Sequence, residues 1–197
     1  MLMKKPFISI VILLLLNTSL SAQHTTDIFI QETTGIGFPK GGGTEYVQSE
    51  LLITTSTRLT DLLSLELSSI IVDQGAADAI IGVGFQVTES LRLIPGIGLA
   101  NNSVNPLRLG VSVDYFTKDY TGLGILKWGP ETSYFYFYEF IRKINKFELG
   151  IRGERFMANG LHFGYNFKPQ FLIFTSPGYD FEFKEYRLAI GVAVTFR

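Results

Sequence analysis

Nine ionisable residues fall at alternate positions of apolar runs, and they are the strongest candidates for chemistry in this chain. They are Glu66, Arg92, Arg108, Asp114, Glu148, Arg152, Glu154, His162 and Lys168. On β-strands, alternate positions point to the same face, so these side chains would converge on one enclosed space. Both signs are present, and a lone buried charge is costly, so they would pair across that space. A salt-bridged polar plug is the main expectation. A selectivity lining for a small pore is the alternative.

A catalytic reading is weaker. Ser112 and Asp114 stand two apart on the same face, and His162 also points inward, so a nucleophile, a base and an orienting acid are present by type. No motif ties them together, and no catalytic residue is assigned. Gly82-x-Gly84 and Gly96-x-Gly98 lack the following helix and lysine of a phosphate loop, so close packing explains them better. No cluster has metal-ligand spacing, and cysteine is absent. The chain is therefore expected to be non-enzymatic, with no metal and no cofactor.

Composition narrows the class. The 197 residues carry 18% charged and 14% aromatic side chains. The charged share is below the ~25% of a soluble domain. A net charge of −1 argues against a nucleic-acid partner, which would call for a basic excess. Lys4 and Lys5 precede an apolar run from Phe7 to Leu16, and small residues follow up to Ala22. This is the layout of a signal peptide over residues 1–22, cut after Ala22 or, alternatively, after Ser21. About ten apolar residues are too few to span hydrocarbon as a helix. No later stretch is long enough either.

The remainder alternates with period two. Leu188, Ile190, Val192, Val194 and Phe196 oppose Ala189, Gly191, Ala193 and Thr195. The same scheme runs through Leu62–Asp73, Ala79–Thr88, Leu91–Ala100, Leu107–Phe116, Phe147–Met157 and Leu161–Phe171. These runs have the length of tilted membrane strands, and the polar breaks between them suit hairpins. The expectation is an all-β fold, a closed antiparallel transmembrane β-barrel of eight to ten strands over residues 45–197. Residues 23–44 form either an arm or a first strand. A soluble barrel would need charge on its outer face. Here the weaker face is small rather than charged, which suits the crowded inside of a membrane barrel.

The closing stretch Leu188–Phe196, an alternating strand ending in an aromatic, resembles the carboxyl-terminal assembly signal of the small outer-membrane β-barrel proteins of Gram-negative bacteria; Arg197 follows it here. Ser21-Ala22-Gln23 resembles signal-peptide ends common in the Bacteroidetes. The resemblance implies insertion into outer-membrane lipid by the barrel-assembly machinery, with Phe196 as the assembly signal. Lipid A deacylases, another outer-membrane barrel family, carry a His-x-Ser pair; here His162 is followed by Phe163 and Gly164. The resemblance implies a structural or interaction role, as a subunit of a larger membrane complex with protein partners there. A small solute channel or transporter is the alternative.

Overall fold

The computed structural model describes residues 26–39, 47–72, 75–101, 105–129 and 134–196. The signal-peptide segment lies outside them, as do residues 23–25 and 40–44 of the arm. Twelve strands follow in chain order: β1 (Thr26–Phe38), β2 (Val47–Arg58), β3 (Leu63–Val72), β4 (Ala77–Thr88), β5 (Leu91–Ala100), β6 (Leu107–Phe116), β7 (Tyr120–Trp128), β8 (Tyr134–Ile144), β9 (Phe147–Glu154), β10 (Asn159–Lys168), β11 (Phe171–Asp180) and β12 (Glu185–Phe196). Each pairs antiparallel with its sequence neighbours, and β1 pairs with β12, closing the barrel.

The architecture is the expected one, but the count is twelve rather than eight to ten. Three strands make the difference. β1 begins inside the segment read as an arm or first strand, so the barrel starts at Thr26 rather than near residue 45. β7 carries Gly122 and Gly124 on its outward face, which dilutes its alternation. β11 contains Pro177-Gly178, the signature of a break. Pro177 sits where the β10–β11 pairing is interrupted, between the pairing of Gly160 with Gly178 and that of Phe163 with Thr175, so its missing N–H costs no ladder bond there.

Both barrel-forming chain ends lie at one end of the barrel, together with the shorter turns, such as Glu89-Ser90, Asn145-Lys146 and Pro169-Gln170. Asn145 takes φ 55° there, a left-handed conformation that asparagine tolerates. We call this the turn end, and the opposite end the loop end.

The outward face is apolar over most of its height. Ile97, Val192 and Phe163 are 51%, 47% and 43% exposed. Such a surface suits hydrocarbon rather than water. Aromatics concentrate at its two margins: Trp128, Tyr134 and Tyr186 toward the loop end, and Phe85, Phe147, Tyr165 and Phe196 toward the turn end. In the aromatic run of β8, Tyr134, Tyr136 and Tyr138 stack on the outside, while Phe137 is buried inside.

Candidate functional site

The inward face gathers most of the ionisable residues. Toward the turn end, the β5–β6 register sets Arg92 directly opposite Asp114. The Arg92 guanidinium grips one Asp114 oxygen through both Nε and Nη2. Its Nη1 reaches Glu66 Oε1 on β3 at 2.7 Å and Ser56 Oγ on β2 at 2.9 Å. Ser64 donates to the same Glu66 oxygen at 2.5 Å. Gly84 makes room for this cluster: a Cβ there would lie 2.3 Å from Ser64 Oγ.

Arg152 on β9 lies deeper and is 1% exposed. It donates to Gln31 Oε1 at 2.9 Å, to Thr33 Oγ1 at 3.3 Å and to Glu154 Oε2 at 3.1 Å, with Glu139 Oε2 at 3.8 Å. Its guanidinium lies 4.7 Å from the Phe137 ring and 4.5 Å from the Phe174 ring. Stacking of this kind suits a planar delocalised cation withdrawn from water. The hydrogen bonds to β1 cross the lumen and tie β9 to the first strand.

His162, Ser176 and Glu148 occupy neighbouring strands, β10, β11 and β9. Ser176 Oγ and His162 Nδ1 are 3.3 Å apart, and Nε2 is 3.8 Å from Glu148 Oε2, which is too long for a hydrogen bond. Asn166 donates to Glu148 Oε1 at 2.8 Å. The residue types are those of a nucleophile, a base and an acid. Yet Ser176 is 0% exposed and the imidazole stacks on Phe174 at 5.4 Å, so no acyl group can reach the hydroxyl. The Ser112–Asp114–His162 combination considered from sequence is not assembled, because Asp114 is held by Arg92 and His162 faces Ser176 instead.

Toward the loop end, Lys127 Nζ of β7 meets Asp78 Oδ1 of β4 at 2.6 Å. Arg187 of β12 meets Asp180 Oδ2 at 3.1 Å and Glu185 Oε1 at 2.9 Å. Arg187 also donates to the Phe156 carbonyl at 2.6 Å, drawing the β9–β10 loop inward. Met157 of that loop is 1% exposed and sits over Gly35. Arg108 is buried and donates to the carbonyls of Asn105 and Leu107.

Lys168 departs from its expected place. The β10–β11 register slips between Asn166 and Lys168, so the alternation breaks before the lysine arrives. Lys168 is exposed at the turn end, with its ammonium 5.9 Å from the Phe171 ring. Conversely, Lys127, Asp78, Glu139, Glu50, Asp180, Arg187 and Gln31 are buried or partly buried inward residues not singled out from the sequence. Lys127, Asp180 and Gln31 belong to β7, β11 and β1, the strands that were hardest to recognise. Phe196 points outward, 52% exposed, opposite Ile28 in the β1–β12 seam.

Three cavities run along the β2–β7 side of the lumen. One of about 650 Å³ opens at the turn end beside Arg58, Asp61 and Glu89. It shares Asp27, Ser56, Arg92 and Phe116 with an inner cavity of about 330 Å³. The inner cavity shares Lys127 with a third, of about 390 Å³, at the loop end. Gly82, Gly96 and Gly110 stand opposite one another on β4, β5 and β6 and border the inner cavity, with Ile80 and Ile94 packed over them where a Cβ would not fit. Among the described residues, no three metal-ligating side chains converge.

No protein-family model matches this chain, and no curated protein matches it. Its architecture does recur among solved structures. A KdgM porin in complex with disordered oligogalacturonate aligns with a TM-score of 0.52 at 14% identity, covering 87% of this chain and 99% of that one. A NanC porin aligns with a TM-score of 0.52 at 12% identity, over 84% and 98%. The outer membrane phospholipase A from Escherichia coli aligns with a TM-score of 0.55 at 13% identity, over 85% and 89%. At such identities the likeness is one of fold: this chain has the closed-barrel architecture of Gram-negative outer-membrane proteins.

Proposed function

We propose that this protein is a narrow solute channel of the bacterial outer membrane, passing small cations and neutral hydrophilic solutes. The observation that carries the reading is the row of three cavities between one mouth and the other, the first two bordered in common by Asp27, Ser56 and Arg92 and the last two by Lys127. The apolar outer wall and its aromatic margins support the location. The fold likeness to two porins favours a channel over the purely structural role that the sequence put first. The shared fold with an outer-membrane phospholipase gives less support to an enzyme, because the serine–histidine pair here is sealed.

The preference for cations follows from the lining. Asp27, Glu50, Glu66, Asp78, Asp114 and Glu139 border the inner and loop-end cavities, against Arg92, Arg108, Lys127 and Arg155. Rings of carboxylate favour cations in narrow pores. The Lys127–Asp78 pair stands between the inner cavity and the loop end, where it restricts flow. Purified protein in a planar bilayer is expected to give small, stable, cation-selective steps. A silent bilayer, with folded barrel inserted at the same density, would return the reading to a plugged structural protein.

A further inference from the structure

Glu32 sits on the face of β1 that its neighbours give to lipid. Gln31, Thr33 and Gly35 point inward and are buried, while Ile28, Ile30, Glu32, Thr34 and Ile36 alternate outward. The register agrees, since Glu32 stands opposite Val192 of β12 and Leu51 of β2, both outward. Phe196 and Tyr186 of β12, paired with Ile28 and Phe38, mark the two aromatic margins, and Glu32 falls between them. Its side chain is exposed, and no hydrogen bond or ion pair from the described residues reaches it. Beside it, Thr34 Oγ1 and Ser49 Oγ lie 3.3 Å apart on the same wall.

A carboxylate at this depth is unfavourable against hydrocarbon. Charges at such positions otherwise face water or a protein partner. The other charged residues at outward strand positions, among the described residues, are Arg142 and Lys168. Both lie near the turn end, with the Arg142 guanidinium 5.8 Å from the Tyr120 ring and the Lys168 ammonium 5.9 Å from the Phe171 ring, within reach of the membrane margin.

We infer that the outer wall around Glu32, Thr34 and Ser49 docks a second, different outer-membrane protein, one that presents a lysine or arginine at mid-depth. Charge complementarity selects this occupant. Lipid tails offer the carboxylate nothing. A second copy of this chain inserted the same way sets equal heights together, and among the described residues its outer wall presents no cation at this height, Arg142 and Lys168 lying near the turn end. Hydroxyls on both sides of such a contact would satisfy the remaining polar groups, as they do between membrane segments.

The test is site-specific photo-crosslinking in the native cells. A photoreactive phenylalanine analogue replaces Leu51, beside Glu32, or Leu109 on the far wall as control. Heat-modifiable migration checks that every variant has folded. The expected result is one heteromeric adduct from position 51 and none from 109, reduced at least about tenfold by Glu32→Leu and retained in Glu32→Asp. The adduct should map to a segment of the partner containing Lys or Arg. Reversing that residue to Glu should restore the adduct lost in Glu32→Lys. Four results would overturn the inference: folded protein with no adduct, equal adducts from both walls, an adduct of two copies of this chain, or a partner site lacking a cation. None of these outcomes depends on whether the lumen conducts.

Discussion

The two sides of the lumen are built from one alternating pattern, yet they differ in what the inward positions hold. On the β8–β12 side, joined by β1, the inward residues are large and interlocked from mid-depth to the loop end: Arg152 between two phenylalanine rings, His162 against Phe174, Arg187 with two carboxylates, and Met157 folded in above Gly35; a cavity of about 380 Å³ opens only toward the turn end, beside Gln31, Glu148 and Leu172. On the β2–β7 side the inward residues leave a row of three cavities. The proposed passage therefore runs beside a packed sector. The size of alternate residues sets which one a strand contributes to, without any change in backbone geometry. The packed sector holds the barrel's shape while the open one is free to stay empty.

Arg152→Met should have the largest effect. It removes a buried cation and leaves Glu154 and Glu139 without the guanidinium they share, an expected loss of about 3–5 kcal/mol in detergent-micelle unfolding. A loss comparable to that of a surface substitution would mean that the packed sector does not hold the barrel. Lys127→Met is expected to cost less, about 1–3 kcal/mol, because Asp78 retains 17% side-chain exposure and partial hydration. It should also raise conductance and sharpen cation selectivity. Unchanged single-channel steps would show that the Lys127–Asp78 pair does not restrict the passage.

Ser112→Trp places a ring into the inner cavity. Because space is already present, the stability cost should stay below about 1–3 kcal/mol, the usual range for overpacking a filled core. The conductance steps should shrink severalfold, and unaltered steps would exclude this route through the barrel.

Glu182→Gln should have the smallest effect. In the β11–β12 loop, Glu182 accepts from Arg155 Nε at 2.8 Å and from Tyr134 Oη at 2.9 Å. The Arg155 hydrogen bond first, and then that of Tyr134, holds its carboxyl below the usual value. A pKa depressed by folding means that the contribution is complete above the unfolded carboxylate value of about 4.3 and fades as pH falls through the folded one. Limited proteolysis should find the variant slightly less protected than wild type at the loop end at neutral pH, where the ionised tie is complete. Under acid the two should become alike, because wild type then loses the tie as well. Equal protection at neutral pH would assign this tie no part in holding the mouth.

The sequence made the regular strands legible and hid the irregular ones. Leu188–Phe196 displays its faces directly because each outward residue is bulky and each inward one is small. Arg92 and Asp114 were readable as inward neighbours because β5 and β6 alternate without interruption. Lys168 was not, because a register slip two residues before it changes its side, and such slips leave no composition signal. The partner of His162 was hidden for a different reason. Ser176 belongs to β11, whose Pro177-Gly178 reads locally as a turn, and only pairing with β10 and β12 makes it a strand. Lys127 and Gln31 were missed along with their strands.

The β1–β12 seam joins residues that are nearly the whole chain apart: Ile28 lies beside Phe196. No sheet of this chain is complete until its final strand arrives. Every shorter intermediate has two open edges, each a row of unpaired amides and carbonyls. In water such edges recruit any available strand, and in lipid they are more costly still. The barrel is thus a circuit whose last link must close before the others are safe. A lesion in the final dozen residues would consequently act on the entire ring, whereas one in a hairpin turn would remain local.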